Sequence, residues 1–187
     1  MEDLDSFMDD LESMMEEPDS SSSELPALVT EFVPLNRRRT QGAPPLSVPE
    51  LERWTELREF LEYHFGSANP PLGGTRRRSL RVPTQLKVRT SIGGGETASL
   101  HDLSEAGAFV ESARPLDPDT PLRLEIDPGS GAAPLRLAAV VKWVRELPNM
   151  DGPAGMGIEF ADVEDGDFAA LTDLVESALV AAGRRDP

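Results

Sequence analysis

Residues 121–145 have the sequence PLRLEIDPGSGAAPLRLAAVVKWVR. Apolar and polar residues alternate over 122–126, and a second apolar pattern runs over 135–145. This period of two predicts two strands, each with one buried face. The segment 127–131, DPGSG, consists of turn-forming residues, so the second strand is predicted to return along the first. Trp143 shares its parity with the apolar residues of the second strand, and we expect it to pack in the core.

Four shorter patterns predict further strands. They lie at 82–88, at 97–101, at 108–112 and at 156–160. The first is expected to end in the turn Gly93-Gly94-Gly95. Six short strands with frequent turns favour a small β-barrel or sandwich, closed so that few strand edges are left open.

A helix is predicted after the last strand, which makes the domain mainly β with a C-terminal α-helix. Asp165 or Asp167 is the expected cap. Its apolar face is predicted to contain Phe168, Leu171, Leu174, Val175 and Leu179.

Residues 25–74 are predicted to be a linker that contains one helix at 48–65. Most of 25–46 is expected to be irregular because it holds four prolines, and 69–74 has linker composition. Ser47 and Glu50 have the spacing of a capping box before the helix. Its apolar stripe must be buried, and we expect it to dock on the barrel, with a dimer seam or a partner site as the alternative. The stripe consists of Leu51, Trp54, Leu57, Leu61 and Phe65.

Residues 1–24 contain ten acidic residues and no basic one. Apolar residues at helical spacing suggest an amphipathic helix, but such a short isolated helix is marginal in water, so this acidic tail is predicted to be disordered. Pro18 and the four serines 20–23 are expected to end it as a flexible linker. Two interpretations remain: a segment that folds in a partner's groove, or a solvated tail that aids solubility.

The charge and composition exclude several classes of protein. The formal net charge is −16, and outside the tail 24 acidic residues still outnumber 18 basic ones, which argues against DNA or RNA binding. The chain has no cysteine, no bilayer-spanning apolar run and no signal peptide pattern, so we expect a cytoplasmic protein. His64 and His101 lack partners at ligand spacing, which predicts no metal site. No nucleophile–base arrangement is visible, which predicts that the protein is not an enzyme.

A positive island stands out in this acidic chain. Residues 75–95 contain six basic residues and no acidic one, among them Arg76, Arg77, Arg78 and Arg81. Arginine can bind phosphate through two N–H groups and stack on a base, so the island suits a compact anionic ligand. A solvated basic linker is the alternative interpretation.

The second candidate feature is the turn Asp102-Leu-Ser104-Glu-Ala-Gly107, which begins 21 residues after Arg81. A carboxylate can accept hydrogen bonds from the N–H groups of guanine, and a hydroxyl can donate or accept nearby. Gly107 permits close approach of backbone to a ligand. The alternative is an ordinary turn in which Asp102 and Ser104 bond to local backbone.

Arg77-x-x-x-Arg81 followed by Asp102-x-Ser104-x-x-Gly107 resembles the PilZ family of cyclic di-GMP receptors. The strand count, the ending Met156–Phe160 and the C-terminal helix are also similar to that family. The resemblance covers about residues 75–182, and it implies a six-stranded PilZ-like β-barrel preceded by a helical or disordered region.

The resemblance implies a role for each matched residue. Arg77 and Arg81 would bind the phosphates and stack on the guanines of cyclic di-GMP, with Arg76 and Arg78 as auxiliary contacts. Asp102 and Ser104 would bind a guanine edge, and Gly107 would shape the turn.

The expected function is an effector that couples the ligand cyclic di-GMP to a protein partner, with motility, polarity or surface-polysaccharide control as candidate processes, and no cofactor is expected. The partner is expected at the acidic segment or at helix 48–65. The alternative is a nucleotide-independent protein–protein adaptor.

Overall fold

A computed structural model describes residues 20–42, 44–65, 79–91, 97–129, 131–150 and 152–184. Several sequence predictions fall outside these residues. They are the amphipathic pattern before Ser20, the linker 69–74, the arginines 76–78 and the glycine turn 93–95.

Three helices and seven strands make up the described chain. The helices are α1 (Ser20–Gln41), α2 (Val48–Phe65) and α3 (Asp165–Gly183). The strands are β1 (Val82–Pro83), β2 (Lys87–Thr90), β3 (Thr97–Ser104), β4 (Gly107–Glu111), β5 (Pro121–Asp127), β6 (Leu135–Arg145) and β7 (Gly155–Ala161).

Six strands close into an antiparallel barrel in the order β2-β3-β4-β7-β6-β5, with β5 pairing back to β2. The predicted fold is therefore confirmed. The strands β5 and β6 pair as a hairpin with Leu124 opposite Leu137. Both side chains are buried, as the period of two requires.

The strand predicted at 82–88 is divided in two. Val82 lies opposite Leu103 of β3, but Lys87 lies opposite Ser99, so the register shifts by one residue between β1 and β2. Backbone hydrogen bonds still join Thr84 to His101 and Leu86 to Leu100 in the gap, so the register shift alone divides the strand. The alternation itself holds, because Val82 and Val88 are both buried.

Helix α3 packs its apolar face against the barrel and α1. Of its predicted face, Leu171, Leu174, Val175 and Leu179 are buried and Phe168 is half-buried. The predicted cap is wrong. The N-cap residue is Glu164, it makes no side-chain cap hydrogen bond, and Asp165 and Asp167 lie in the first turn, where a negative charge favours the helix dipole.

Helix α1 contradicts the prediction of irregular chain over 25–46 and of a flexible serine run at 20–23. It contains Pro26 and Pro34, which weaken a helix interior. Leu25, Val29 and Phe32 follow one another at helical spacing and are almost completely buried. Tertiary burial therefore outweighs the local proline penalty.

Helix α2 has the predicted bounds, and Glu50 accepts a hydrogen bond from the Ser47 backbone N–H at 2.8 Å, as a capping box requires. Its main packing partner is α1, whereas we expected the barrel. Leu57 and Leu61 are buried in the same core cluster as the barrel residues, but Leu51 is exposed. No helix within the described ranges is long and apolar enough to cross a membrane.

Candidate functional site

An ion pair joins the arginine-rich segment to the aspartate turn. One N–H of the Arg81 guanidinium donates to Asp102 Oδ1 at 2.7 Å. The Arg81 side chain is 25% exposed and that of Asp102 is 31% exposed, so a solute can reach both. The two residues are 21 positions apart, and the pairing of β1 with β3 brings them together, because Pro83 lies opposite Asp102.

A bulge in β3 places Asp102 on the outer wall of the barrel. The register with β4 shifts by one residue between Leu100 and Asp102, which leaves His101 as the extra residue. Leu100 and Leu103 therefore both face the core, while His101 is exposed and Asp102 half-exposed. Bulges of this kind re-aim side chains at binding sites. Asp102 is also anchored, since its Oδ1 accepts from the backbone N–H of Phe109 at 3.0 Å.

Ser104 holds the turn from inside. Its hydroxyl donates to the carbonyl of Gly107 at 3.0 Å and accepts from the N–H of Ala106 at 3.3 Å. The residue is 2% exposed. This is the local backbone bonding that the ordinary-turn interpretation predicts for Ser104.

Gly107 is needed because β7 lies very close. A Cβ built on Gly107 would lie 2.1 Å from the carbonyl oxygen of Ile158, which is a backbone atom and cannot rotate away. Gly107 has no positive φ, so the requirement for glycine comes from space and not from backbone conformation.

Aromatic residues extend the outer wall beside Asp102. Phe109 lies opposite Asp102, Gly157 lies opposite Phe109, and Trp143 lies opposite Gly157, so the four form one row across β3, β4, β7 and β6. Phe109 and Trp143 stack with their ring centroids 5.2 Å apart. At a strand spacing of about 4.8 Å, the row spans about 14 Å from Asp102 to Trp143.

Arg145 and two glycines lie beside these two rings, and we call Phe109 and Trp143 together the aromatic shelf. The Arg145 guanidinium lies 5.0 Å from the Phe109 ring centroid and 5.5 Å from that of Trp143. A Cβ on Gly157 would lie 2.1 Å from the indole nitrogen of Trp143, and one on Gly155 would lie 2.8 Å from the Phe109 ring. The absent side chains therefore make room for the two rings to lie flat on the sheet.

The prediction that Trp143 packs in the core is wrong. Trp143 is 42% exposed, because the register between β6 and β7 shifts by one residue between Val141 and Trp143. That bulge reverses the parity from Lys142 onward. Sequence analysis also missed Phe109, His101 and Arg145, although Gly155-x-Gly157 is a signal for bulky neighbours on one face.

Of the predicted site residues, the structure brings Arg81 and Asp102 together and places Ser104 and Gly107 in the supporting turn. Arg76, Arg77 and Arg78 lie outside the described ranges. The other basic residues of the island, Lys87 and Arg89, lie on β2. The amine of Lys87 bonds to Ser99, and Arg89 is 3.9 Å from Glu125.

The wall combines three recognition elements. A carboxylate offers a hydrogen-bond acceptor, two guanidinium groups offer positive charge and paired N–H donors, and the indole offers a flat apolar surface. Such a surface suits a planar ligand that has N–H donors on one edge and carries negative charge. No group of residues in the described part of the chain has the composition of a metal site.

The sequence matches the PilZ domain family over residues 75–177. No curated protein matches it. The structure resembles that of the Bacillus subtilis inhibitor of motility MotI/DgrA, with 23% identity over 56% of this chain and a TM-score of 0.46. The chain spans 53% of that protein.

Two further solved structures are similar at the level of the fold. One is the PilZ domain of YcgR from Escherichia coli with c-di-GMP, with 19% identity, a TM-score of 0.44 and coverage of 56% of this chain and 92% of that chain. The other is the K. pneumonia MrkH–c-di-GMP complex, with 17% identity, a TM-score of 0.46 and coverage of 60% and 56%.

Proposed function

The chain belongs to the PilZ domain family, and from that premise we propose that it is a receptor that binds cyclic di-GMP on the wall of its barrel. The observation that carries the proposal is the 2.7 Å ion pair between Arg81 and Asp102. It joins the two matched motifs at one half-exposed point of the surface.

The contacts that we propose follow from the wall. The free oxygen of Asp102 accepts from the N–H groups of a guanine edge, while Arg81 keeps its bond to the other oxygen and turns its remaining N–H donors to a phosphate. Arg77 takes the second phosphate-binding and stacking role, with Arg76 and Arg78 as auxiliary contacts. Ser104 and Gly107 contribute indirectly, because they stabilise the turn that positions Asp102.

The aromatic shelf extends the same proposal. Trp143 lies in the same row as Asp102, about 14 Å away at the spacing of strands, and it presents an exposed indole. Base stacking on an aromatic side chain contributes about 1–3 kcal/mol. Asp102 binds one guanine of the ligand, and we assign the other guanine, or a base stacked on it, to Trp143 and Arg145.

Calorimetric titration with cyclic di-GMP tests the binding claim. We expect saturable binding by the intact chain. Arg81→Ala should weaken it about 10- to 100-fold, because a charge-assisted hydrogen bond contributes about 1.5–3 kcal/mol. Arg89→Ala is the matched control, since Arg89 belongs to the same basic island but lies on β2 near Glu125, and it should bind normally. A folded wild-type sample that shows no heat with tens of micromolar ligand would refute the claim.

Coupling to a protein partner is the second part of the proposal. The segment 79–81 leads into the barrel. Helix α2 packs on α1, α1 packs on α3, and α3 packs on the barrel. Ligand contacts at Arg81 are therefore placed to bias the position of the helices. Helix α2 exposes Val48 and Tyr63, which are 71% and 88% accessible and available to a partner.

The nucleotide-independent adaptor remains the second candidate, and those exposed residues of α2 favour it. A double variant, Arg77→Ala with Arg81→Ala, separates the two functions. Deletion of 1–19, which leaves α1 whole, is the comparison. If partner binding survives the double variant with and without ligand but is lost on deletion, the adaptor function is correct.

A further inference from the structure

A cavity is present among the three helices. It has a volume of about 360 Å³ and is lined by residues of α1, α2 and α3, by residues 79–80 and by Glu105 at the tip of the aspartate turn. Its size is at the lower end of the range for small-molecule sites. Asp102 and Trp143 do not line it, so it is separate from the barrel wall.

Two carboxyl oxygens of residues that line the cavity have no donor. Glu105 Oε1 and Glu176 Oε1 are buried and make no hydrogen bond within the described chain. Glu176 is only 5% exposed. Buried acceptors of this kind are normally satisfied, and an unsatisfied pair that lines one cavity points to a ligand that supplies donors.

The surroundings hold these carboxyl groups in place. Glu176 accepts an Arg37 hydrogen bond at 2.5 Å through its other oxygen, so Oε1 remains directed elsewhere. Burial raises the pKa of Glu105, a hydrogen bond with the Asn36 side chain offsets part of that rise, and the charge of Glu176 adds to it. Burial also raises the pKa of Glu176.

One wall of the cavity is aromatic. Trp54 stacks on Phe32 with 17° between the ring planes and 6.4 Å between the centroids. Its indole N–H donates to the Asn36 side chain at 3.2 Å, which fixes the orientation of the ring. A fixed indole is a good stacking surface for a purine.

Two arginines lie over the same indole. The guanidinium carbons of Arg39 and Arg58 are 5.7 Å and 5.4 Å from the Trp54 ring centroid. Arg58 is paired with Glu62, whereas Arg39 is exposed and makes no ion pair among the described residues. Arg39 is therefore available to an anionic group that enters the cavity.

We propose that this cavity binds a guanine mononucleotide. The N1–H and N2–H₂ donors of guanine match the two carboxyl acceptors of Glu105 and Glu176, the purine plane lies against Trp54, and the phosphate binds Arg39. Adenine is disfavoured because its corresponding edge has one donor and one acceptor, which would face a carboxyl oxygen. The site goes beyond the proposed cyclic di-GMP function and does not depend on it.

Tryptophan fluorescence provides the test, because the chain contains only two tryptophans. In the Trp143→Phe variant, Trp54 is the sole reporter. We expect 5′-GMP to change its emission saturably, with at least tenfold higher affinity than 5′-AMP. Absence of any GMP response in a variant that is folded by circular dichroism would overturn the proposal and would leave the barrel-wall function intact.

Variants on the Trp143→Phe background assign the contacts. Arg39→Ala should weaken GMP about tenfold and leave guanosine unaffected, since guanosine has no phosphate. Arg53→Ala is the matched control, because Arg53 is an exposed α2 arginine paired with Glu31 away from the cavity, and it should bind GMP normally. Equal loss in both variants would overturn the phosphate assignment.

The last comparison separates the two sites. Glu105→Gln should reduce the preference for GMP over AMP, and an unchanged preference would overturn the guanine assignment. Arg81→Ala should leave the GMP response unchanged. If Arg81→Ala abolishes it, GMP is bound on the barrel wall and the separate cavity site is refuted.

Discussion

Gly107→Ala should destabilise the barrel even without ligand. The added methyl carbon would lie 2.1 Å from the Ile158 carbonyl oxygen. The two strands must separate by more than about 1 Å to restore an ordinary contact. The atom that obstructs is backbone, so no change of rotamer relieves the overlap.

The magnitude follows from what the separation breaks. The pairing of Gly107 with Glu159 and the 3.0 Å bond from the Phe160 N–H to the Ala106 carbonyl both lie at this point. Two weakened hydrogen bonds cost about 1 kcal/mol each. Overpacking adds about 1–3 kcal/mol. We therefore expect the free energy of unfolding to fall by about 3–5 kcal/mol, which is a large part of the stability of a small domain.

Urea unfolding followed by circular dichroism measures this loss. Gly166→Ala is the control, since Gly166 lies in the first turn of α3, has no positive φ and has no atom within 4 Å of a built Cβ. It should change stability by less than about 1 kcal/mol, in the stabilising direction. If Gly107→Ala loses no more than the control while cyclic di-GMP binding disappears, the packing argument is wrong and Gly107 acts on the ligand directly.

Three further outcomes are expected. Phe32→Ala, at a residue 2% exposed, should lower the free energy of unfolding in urea by about 3–5 kcal/mol, and a loss below about 1 kcal/mol would mean that α1 is only loosely attached. Gly157→Ala should push the Trp143 indole off the sheet, shift its fluorescence and weaken cyclic di-GMP several-fold in titration; unchanged emission would contradict the shelf. Burial raises the pKa of Glu105 above 4.5, so its contribution to stability is present at low pH and is lost as pH rises through the raised value. Urea unfolding across that range should show a smaller decline for Glu105→Gln, and parallel curves would show that Glu105 does not titrate there.

The barrel could be predicted from the sequence because each strand has a local pattern of apolar residues. Residues 122–126 alternate, 135–141 are mostly apolar, and the DPGSG turn between the two segments predicts that they pair. Helix α1 could not be predicted in this way. Its two prolines are local signals against a helix, while the reason it forms is the partner surface of α3, which is more than 120 residues later in the chain.

The candidate site was predictable to the same extent. The spacing of Arg81 and Asp102 identified the residues that meet, since both positions carry recognisable chemistry. The aromatic shelf was not predicted, because a bulge shifts Trp143 outward and a one-residue register change leaves no local trace in the sequence. The only sequence signal for the aromatic shelf is the pair of glycines beside the two rings, Gly155 and Gly157.

The matched residues of the aspartate turn perform two different tasks. Ser104 and Gly107 are buried and stabilise the backbone of the turn. The Ser104 hydroxyl donates to the Gly107 carbonyl, and the lack of a side chain at Gly107 leaves space for the Ile158 carbonyl. Asp102 is half-exposed and pairs with Arg81 on the wall. The ordinary-turn and ligand-binding interpretations of this segment are therefore compatible. The bonds that make it an ordinary turn hold Asp102 at a fixed point on the wall, and a carboxylate that is already positioned loses less conformational entropy when it binds a ligand.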